Sequence, residues 1–510
     1  MSTPDSTPLT ALEPRLRWLL PADLYAAAWI DPSPATLSRV FEHQRTLQRA
    51  LQDYLPRLIA ETAKTTGAVR YDWQEGTLMF TDLAGFTPLM EANAARGRAG
   101  AETLLGLLNS YFAAMIEIVD KAGGDLLEFT GDAMLVQFPP DAKRRDTTQA
   151  VRAGLRMQRA MAHFARIETE QGVFSLGMRV GIHTGRFLSA SIGTPRRMEY
   201  VLLGNDARRT KQSEGAGRVG RVNLTDDAYA YVREQFRSEV GNPGHVLIID
   251  DFSDEQLGEY DIQPMRRRTA NTLLLDRSIA GLISAIEGVV QRTEPLACYL
   301  PRVILTVLVE GASRRKIEPE FPDLTVLFVN LMGLSASVDR AAAGEEGAII
   351  ACFSRVFALI NGAVEARGGV LKNATYDRTG SNILIYFGAP DAHADDPQRA
   401  AAAALAIREI VEQQPALTIG GETLRLACQI GLTRGPAFAA EIGETRGRRE
   451  FNVLGDTVNT AARMMARAEE NQILISEVVY AAVKGRFACQ DLGHMPLKGK
   501  AAPVAIFGLV

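Results

Sequence analysis

The 510-residue sequence predicts an α+β fold: two ferredoxin-like βαββαβ domains that pack head to tail as an intramolecular pseudo-dimer. Three observations predict it. Strand and helix patterns follow one another in that order, the same order returns later in the chain, and the two copies lose complementary sets of polar residues. A chain of this length also exceeds what one compact hydrophobic core normally accommodates.

The first copy contains alternating apolar runs and amphipathic periodicities that distinguish strands from helices. Its predicted elements are, in order, a strand at 77–80, a helix at 100–121, strands at 126–129 and 133–138, a helix at about 146–165 and a strand at 176–182. Gly131 and Asp132 form the turn of the central hairpin.

The second copy repeats landmarks of the first at a nearly constant separation. Asn330 follows Asp82 by 248 residues, Ser381 follows Asp132 by 249, and Gly455 follows Gly204 by 251. A steady offset over separate landmarks indicates an internal duplication. The predicted divisions are an N-terminal helical segment at 1–70, a first domain at 71–240, a partly helical linker at 241–318 and a second domain at 319–510.

Two carboxylates of the first copy occupy positions that this fold brings together. Asp82 follows a predicted strand and Asp132 lies in the neighbouring hairpin, where their oxygens suit Mg²⁺ or Mn²⁺. The turn that runs from Ala84 through Gly85 and Phe86 to Thr87 presents backbone N–H groups that can hold phosphate oxygens. The second copy has Asn330 and Ser381 instead of the two aspartates, and therefore cannot bind metal equally well.

A helix of the second copy carries the opposite half of a site. Asn459 and Arg463 are four residues apart after the Gly455 break, so they share one helical face near its N-terminus. The guanidinium of an arginine suits phosphate because it donates two hydrogen bonds and stays charged. The first copy has Arg208 and Gln212 at these positions. A pseudo-twofold arrangement would thus form one cleft with both halves and one with neither.

Residues 80–87, 131–133 and 455–463 resemble the class III nucleotidyl cyclases, and the tandem layout is similar to the catalytic pair of soluble, bicarbonate-responsive adenylyl cyclases. The resemblance covers about 75–240 and 320–510. It implies an adenylate cyclase, a lyase of signal transduction that converts ATP to 3′,5′-cyclic AMP and pyrophosphate. A guanylate cyclase and a catalytically weak nucleotide-binding sensory module are the alternatives.

The resemblance also implies a role for each site residue. Asp82 and Asp132 would bind two Mg²⁺ or Mn²⁺ ions, Asn459 would orient the ribose, and Arg463 would meet the α-phosphate. Lys498 would contact the terminal phosphates, with Lys500 as the second choice.

Base recognition is less clearly encoded. The family position for the base-reading residue falls on Asn452, and the partnering cation is open between Lys372, Arg378 and Thr379. Adenine is the expected base, with guanine as the alternative.

The second cleft has its own candidate residues. Glu128 and Lys211 occupy positions where the bicarbonate-responsive relatives have cations, and Arg208 lies nearby. We expect a Glu128–Lys211 ion pair in a cleft that could hold a small-molecule regulator, with weak or no response to bicarbonate.

The bulk composition restricts partners and location. A net charge of −4 argues against general affinity for nucleic acid, and four cysteines without metal-type spacing fit a reducing compartment. No run of about 18 uncharged apolar residues and no signal-sequence pattern is evident. We therefore expect a cytoplasmic protein with no integral membrane segment and with a nucleoside triphosphate as substrate.

Overall fold

The structure is a computed structural model that describes residues 9–141, 143, 145–257, 276–311, 317–377, 380–444, 447–498, 500 and 502–510, without the side chains of residues 376 and 377. Arg378 and Thr379, two of the three predicted base-reading candidates, lie outside this part of the chain.

Helices precede the first copy, within the segment that was predicted to be helical. They are the 3₁₀ turn Leu9–Leu12, α1 (Glu13–Leu16), α2 (Ala22–Ile30), α3 (Pro34–Asp53) and α4 (Arg57–Thr62). The longest of them, α3, begins at the N-cap Ser33, whose hydroxyl accepts a hydrogen bond from the Thr36 backbone N–H.

The first copy has the predicted βαββαβ order. Its elements are β1 (Arg70–Ala84), α5 (Phe86–Ala94), α6 (Gly97–Lys121), β2 (Asp125–Thr130), β3 (Ala133–Phe138), α7 (Asp146–Ala160), the 3₁₀ turn Met161–Phe164, β4 (Ile167–Thr169), β5 (Gly172–Phe174), β6 (Gly177–Thr194), β7 (Arg197–Leu203), α8 (Asn205–Ala216), β8 (Val222–Thr225), α9 (Asp226–Ala230), β9 (Ser238–Val240) and β10 (His245–Ile248). Its main sheet has the strand order β2-β3-β1-β6-β8-β10-β9.

The connector and the second copy follow. Their elements are α10 (Asp254–Leu257), α11 (Ile279–Ala297), α12 (Arg302–Gly311), β11 (Asp323–Met332), α13 (Leu334–Ser337), the 3₁₀ turn Val338–Arg340, α14 (Glu346–Glu365), β12 (Val370–Asp377), β13 (Gly380–Phe387), α15 (Asp396–Glu412), β14 (Leu417–Ile419), β15 (Glu422–Leu424), β16 (Ala427–Pro436), β17 (Phe438–Gly443), β18 (Arg449–Leu454), α16 (Asp456–Met465), β19 (Ile473–Ser476), α17 (Glu477–Val483), β20 (Cys489–Met495) and β21 (Val504–Leu509). The sheet order β12-β13-β11-β16-β19-β21-β20 repeats that of the first copy.

The two copies exchange β-hairpin arms. Phe438, Ala440 and Ile442 of the β17 arm belong to the hydrophobic core of the first copy. Leu188 and Ile192 of the β6 arm belong to the core of the second copy. This reciprocal packing confirms the predicted head-to-tail pseudo-dimer, and it ties the fold of each copy to the presence of the other.

Two core helices have the length and apolar composition that a membrane span requires, namely α6 and α14. In each, the buried residues pack into the core of a copy, as Leu108 and Phe112 do in α6. Buried core helices of globular domains commonly meet the same criteria, so this property is weak support for a span.

The segment that precedes each copy contacts the arm of the other copy. The Tyr54 hydroxyl donates a hydrogen bond of 2.6 Å to the Glu441 carboxylate in β17. At the equivalent point after the connector helix, the Tyr299 hydroxyl bonds the Ser191 hydroxyl in β6 at 2.8 Å. The repeated Tyr-Leu-Pro-Arg sequence at 54–57 and 299–302 therefore forms a reciprocal pair of clasps across the interface.

Removing the two clasps should cost unequal amounts of stability. Tyr54→Phe loses a buried bond to a carboxylate, worth about 1.5–3 kcal/mol, whereas Tyr299→Phe loses a neutral bond worth about 0.5–1.5 kcal/mol. Urea unfolding of both variants checks this expectation. A Tyr299→Phe loss as large as that of Tyr54→Phe would contradict it.

Candidate active site

The two predicted metal carboxylates lie side by side in the first copy. Asp82 belongs to β1, which continues to Ala84 rather than ending before the aspartate as expected, and Asp132 occupies the β2–β3 turn. Strands β1 and β3 are paired, with Thr81 opposite Met134. Burial and the neighbouring Asp82 carboxylate raise the pKa of Asp132 to about 7.

This carboxylate pair fits a divalent cation. Carboxylate oxygens are the ligands that Mg²⁺ and Mn²⁺ take, and a cation would relieve the repulsion that raises the pKa of Asp132. Within the described ranges, no group of three or more His, Cys, Asp or Glu side chains could hold a metal. Phosphate oxygens and water would therefore have to complete the coordination.

An arginine that sequence reasoning missed faces the metal pair. Arg179 lies opposite Asp82 in the β1–β6 register and forms an ion pair with it. The Arg179 Nε atom lies 2.8 Å from the Glu214 carboxylate of α8. The Arg179 guanidinium is therefore a cation next to the predicted metal ligand Asp82.

The equivalent positions of the second copy are all uncharged. The Asn330 amide donates to the Gln429 side-chain oxygen at 2.8 Å, where the first copy has Asp82 and Arg179. Met465 stands where the repeat offset predicts a counterpart of Glu214. Comparing the two copies at this offset would have marked Arg179 from the sequence alone.

The turn after β1 has the backbone conformation that a phosphate cradle needs. Gly85 has a φ of 89° and caps the N-terminus of α5, which begins at Phe86. A Cβ atom on Gly85 would lie 2.4 Å from the Ser175 carbonyl oxygen, so the close approach requires glycine. Phe86 and Thr87 at the start of α5 line the cleft described next.

A cleft of about 130 Å³ lies between the two copies and is lined by residues of both. Thr87 and Asp132 line it from the first copy, and Lys372 and Asn459 line it from the second. The structure thus brings Asp132 and Asn459 to one cavity. The sequence predicted this, because each copy lacks the polar residues that the other retains.

The phosphate end of the second half-site is formed by α16 and the C-terminal connection. Arg463 lies one turn after Asn459, and its Nη1 atom is 3.9 Å from the Asp456 carboxylate. The Lys500 ammonium forms an ion pair with the same carboxylate, whereas Lys498 is exposed. Of the two lysines that the sequence offered, Lys500 is the one the structure brings to Arg463.

Two of the predicted base-reading residues, Asn452 and Lys372, lie at the interface between the copies. Asn452 is buried, and its amide donates to the Gly131 carbonyl oxygen at 3.1 Å, across the interface between the copies. The Lys372 ammonium lies 2.8 Å from Glu450 and donates to the Phe129 carbonyl oxygen at 3.3 Å. Lys372 therefore lines the cleft, while Asn452 helps to join the two copies.

The second cleft, lined by Glu128, Lys211 and apolar residues, is largely filled. Its cavity is about 20 Å³, room for about one water molecule. The Lys211 ammonium lies 5.0 Å from the centroid of the Phe80 ring, and Glu128 accepts a hydrogen bond from the Thr130 hydroxyl. Among the described contacts, no ion pair within 4.0 Å joins Glu128 to Lys211, so the expected pair is not formed although both side chains line one cavity.

Arg208 is also engaged within its own helix. Its guanidinium donates to the side-chain oxygen of Asn205 at the start of α8. This contact ties the arginine to the N-terminus of α8.

Comparison with known proteins identifies the family of the chain. The model of the adenylate and guanylate cyclase catalytic domain matches residues 69–248 and 318–508. Adenylate cyclase type 10 of Oryctolagus cuniculus is 25% identical over 432 residues, which cover 81% of this chain and 25% of the relative. Adenylate cyclase 1 of Rhizobium meliloti is 27% identical over 202 residues, covering 38% of this chain and 30% of the relative. The chain therefore spans about a quarter of the length of the type 10 relatives that it matches.

A solved structure shares the fold over most of the chain. A class III adenylyl cyclase-like ATP-binding protein from Pseudomonas aeruginosa matches with a TM-score of 0.55 and 15% identity, covering 87% of this chain and 93% of that one. The family model matches both copies. The chain therefore belongs to the adenylate and guanylate cyclase catalytic domain family, with two such domains in tandem.

Proposed function

We propose that the protein is an adenylate cyclase that converts ATP to 3′,5′-cyclic AMP and pyrophosphate in the single cleft containing Asp132 and Asn459. The observation that carries the proposal is that Asp132 of the first copy and Asn459 of the second line one cleft. The metal carboxylates are retained in one copy and the Asn459/Arg463 helix in the other. A site without function would have no reason to keep both halves at opposite ends of the chain.

The metal half would be formed by Asp82 and Asp132, which would hold two Mg²⁺ or Mn²⁺ ions. When bound, such ions supply a lowered pKa at the attacking 3′-hydroxyl and positive charge on the triphosphate. The N–H groups of the Gly85 turn and of the start of α5 would bind phosphate oxygens. Arg179 would be released from Asp82 toward the incoming triphosphate, because a dianionic or trianionic phosphate group attracts it more strongly than one carboxylate.

The second half would orient the ribose and stabilise charge at phosphorus. The Asn459 amide would bind the ribose, fixing the 3′-hydroxyl for in-line attack on the α-phosphorus. The Arg463 guanidinium would donate to the α-phosphate as negative charge builds on its oxygens. Lys500 is close to Arg463 and would bind the terminal phosphates, a role for which Lys498 stays the alternative.

Adenine is the proposed base. Lys372 lines the cleft, and its ammonium can donate to a ring nitrogen acceptor such as adenine presents. The names of the relatives support the same choice, since those from Oryctolagus cuniculus and Rhizobium meliloti are adenylate cyclases. We further propose that the protein acts in the cytoplasm, as its composition suggests.

The alternative function is nucleotide binding without turnover. The Pseudomonas aeruginosa protein that shares the fold is described as a cyclase-like ATP-binding protein. Incubating purified protein with Mn²⁺ and each nucleoside triphosphate, then separating the products by chromatography, decides between them. Cyclic AMP from ATP supports the proposal, cyclic GMP from GTP would make guanine the base, and tight ATP binding without product would favour the sensory module.

We predict that Asp82→Asn and Asp132→Asn each lower turnover by at least about 10²-fold, because each removes one of two carboxylates at the metal site. The matched control is Ser381→Ala, at the equivalent of Asp132 in the second copy, and it should retain turnover. Thermal unfolding shows whether each variant is folded. A folded Asp132→Asn protein with unchanged activity would refute the metal assignment.

For the phosphate half, Arg463→Ala should reduce kcat by about 10²–10³ with a much smaller change in KM, since one preorganised donor to the transition state is lost. Gln212→Ala removes the side chain at the equivalent position in the first copy and should be nearly silent. Steady-state kinetics with ATP measures both. Similar losses in the two variants would mean that the clefts are not functionally distinct.

Regulation through the second cleft should be weak. A cavity of about 20 Å³ with Lys211 packed over Phe80 leaves little room for an anion, so bicarbonate should change turnover by less than about twofold. Turnover is measured at fixed pH and ionic strength with bicarbonate replacing chloride. Several-fold activation would show that this cleft opens to a ligand.

A further inference from the structure

Asp456 is a carboxylate at the mouth of the proposed active site with no role in the function described so far. It is the first residue of α16 and follows Gly455, whose φ is 135°. Its Oδ2 atom accepts a hydrogen bond from the Lys500 ammonium, and its Oδ1 atom lies 3.9 Å from the Arg463 guanidinium. One carboxylate therefore contacts both cations that the phosphate end requires.

The first copy lacks this arrangement. Asn205 stands at the position equivalent to Asp456, and its side chain is bonded to Arg208. The β9–β10 turn of the first copy is four residues long, 241–244, and contains no lysine. The corresponding β20–β21 connection of the second copy is longer and carries Lys500. The carboxylate and its lysine thus occur together, and only beside the retained Asn459/Arg463 helix.

A simpler explanation is that Asp456 stabilises the helix. An acidic residue in the first turn interacts favourably with the helix dipole, and this would suffice for an ordinary helix. Here, however, the same carboxylate faces the place where a triphosphate would bind, and like charges repel. Its contact with Lys500 offers a compensating benefit, because Lys500 belongs to no helix or strand and holding it in place costs conformational entropy.

We infer that Asp456 is a positioning residue that holds the Lys500 ammonium, with Arg463, at the phosphate end of the cleft before the nucleotide arrives. The inference rests on the proposed function, since it assigns these cations to the triphosphate. When the nucleotide binds, its phosphates would form ion pairs with Lys500 and Arg463. The segment that carries Lys500 would then already be in position. Without the carboxylate, part of the binding free energy goes into ordering Lys500.

The test is equilibrium binding of 3′-deoxy-ATP with Mn²⁺, a probe that lacks the attacking hydroxyl and cannot be cyclised. Asp456→Asn should raise Kd about two- to fivefold, the range expected for a partly exposed ion pair. Asp456→Glu keeps the charge and should restore most of the affinity. The change should appear in KM more than in kcat, which a general loss of helix stability would not produce.

A double-mutant cycle with Lys500→Ala isolates the positioning role. In that background Asp456→Asn should no longer weaken binding, whereas in a Lys498→Ala background it should weaken binding as in the unmodified protein. Equal weakening in all backgrounds would reduce Asp456 to a helix-stabilising residue and overturn the inference. Tighter binding in all backgrounds would mean simple repulsion and would also overturn it.

The cycle also separates the inference from the proposed function. An unmodified protein that binds 3′-deoxy-ATP but makes no cyclic nucleotide from ATP refutes the enzyme, while the cycle still tests Asp456. A protein that makes cyclic AMP but shows no coupling between Asp456 and Lys500 refutes the inference alone. Failure to bind the probe at all refutes both.

Discussion

A buried ionic seam along the pseudo-twofold axis fixes which half-site faces which. The Arg197 guanidinium donates across the interface to the Lys372 carbonyl oxygen at 2.9 Å, and its pseudo-mate Arg448 donates to the Leu127 carbonyl oxygen at 3.3 Å. Glu199 and Glu450 neutralise the two arginines. Burial raises the pKa of Glu199 to about 7. Buried pairs of this kind add little net stability, but losing one partner costs about 3–5 kcal/mol, so we regard the seam as a determinant of orientation.

The ionic seam is the same on both sides of the interface, whereas the residues around the predicted metal pair differ between the copies. Both arginines make the same cross-interface contact, and both Tyr-Leu-Pro-Arg segments clasp the opposite arm. Around the metal pair, by contrast, the charged Asp82–Arg179 contact of one copy is the neutral Asn330–Gln429 contact of the other. A charge cluster that binds no ligand is a desolvation cost, so a copy freed from metal binding is stabilised by neutral side chains of similar size.

The side chains that line the second cleft make contacts within the protein. The Lys211 ammonium packs over the Phe80 ring, and Glu128 accepts a hydrogen bond from the Thr130 hydroxyl. The first cleft, by contrast, keeps a cavity of about 130 Å³. One pseudo-symmetric framework therefore yields an open site and a packed interface, and the difference lies in a few side chains.

The sequence by itself determined the duplication, the βαββαβ order and the complementary halves of the site, because these depend on local periodicity and on residues that recur at one offset. It also identified Asp82, Asp132, Asn459 and Arg463 as the residues to bring together. Only the tertiary structure revealed the ion pair of Arg179 with Asp82, the ion pair of Lys500 with Asp456, the Asn452 hydrogen bond across the interface and the small cavity beside Glu128 and Lys211. Each of these depends on strand register or on contacts between residues that are far apart in the chain, which single-sequence patterns do not specify.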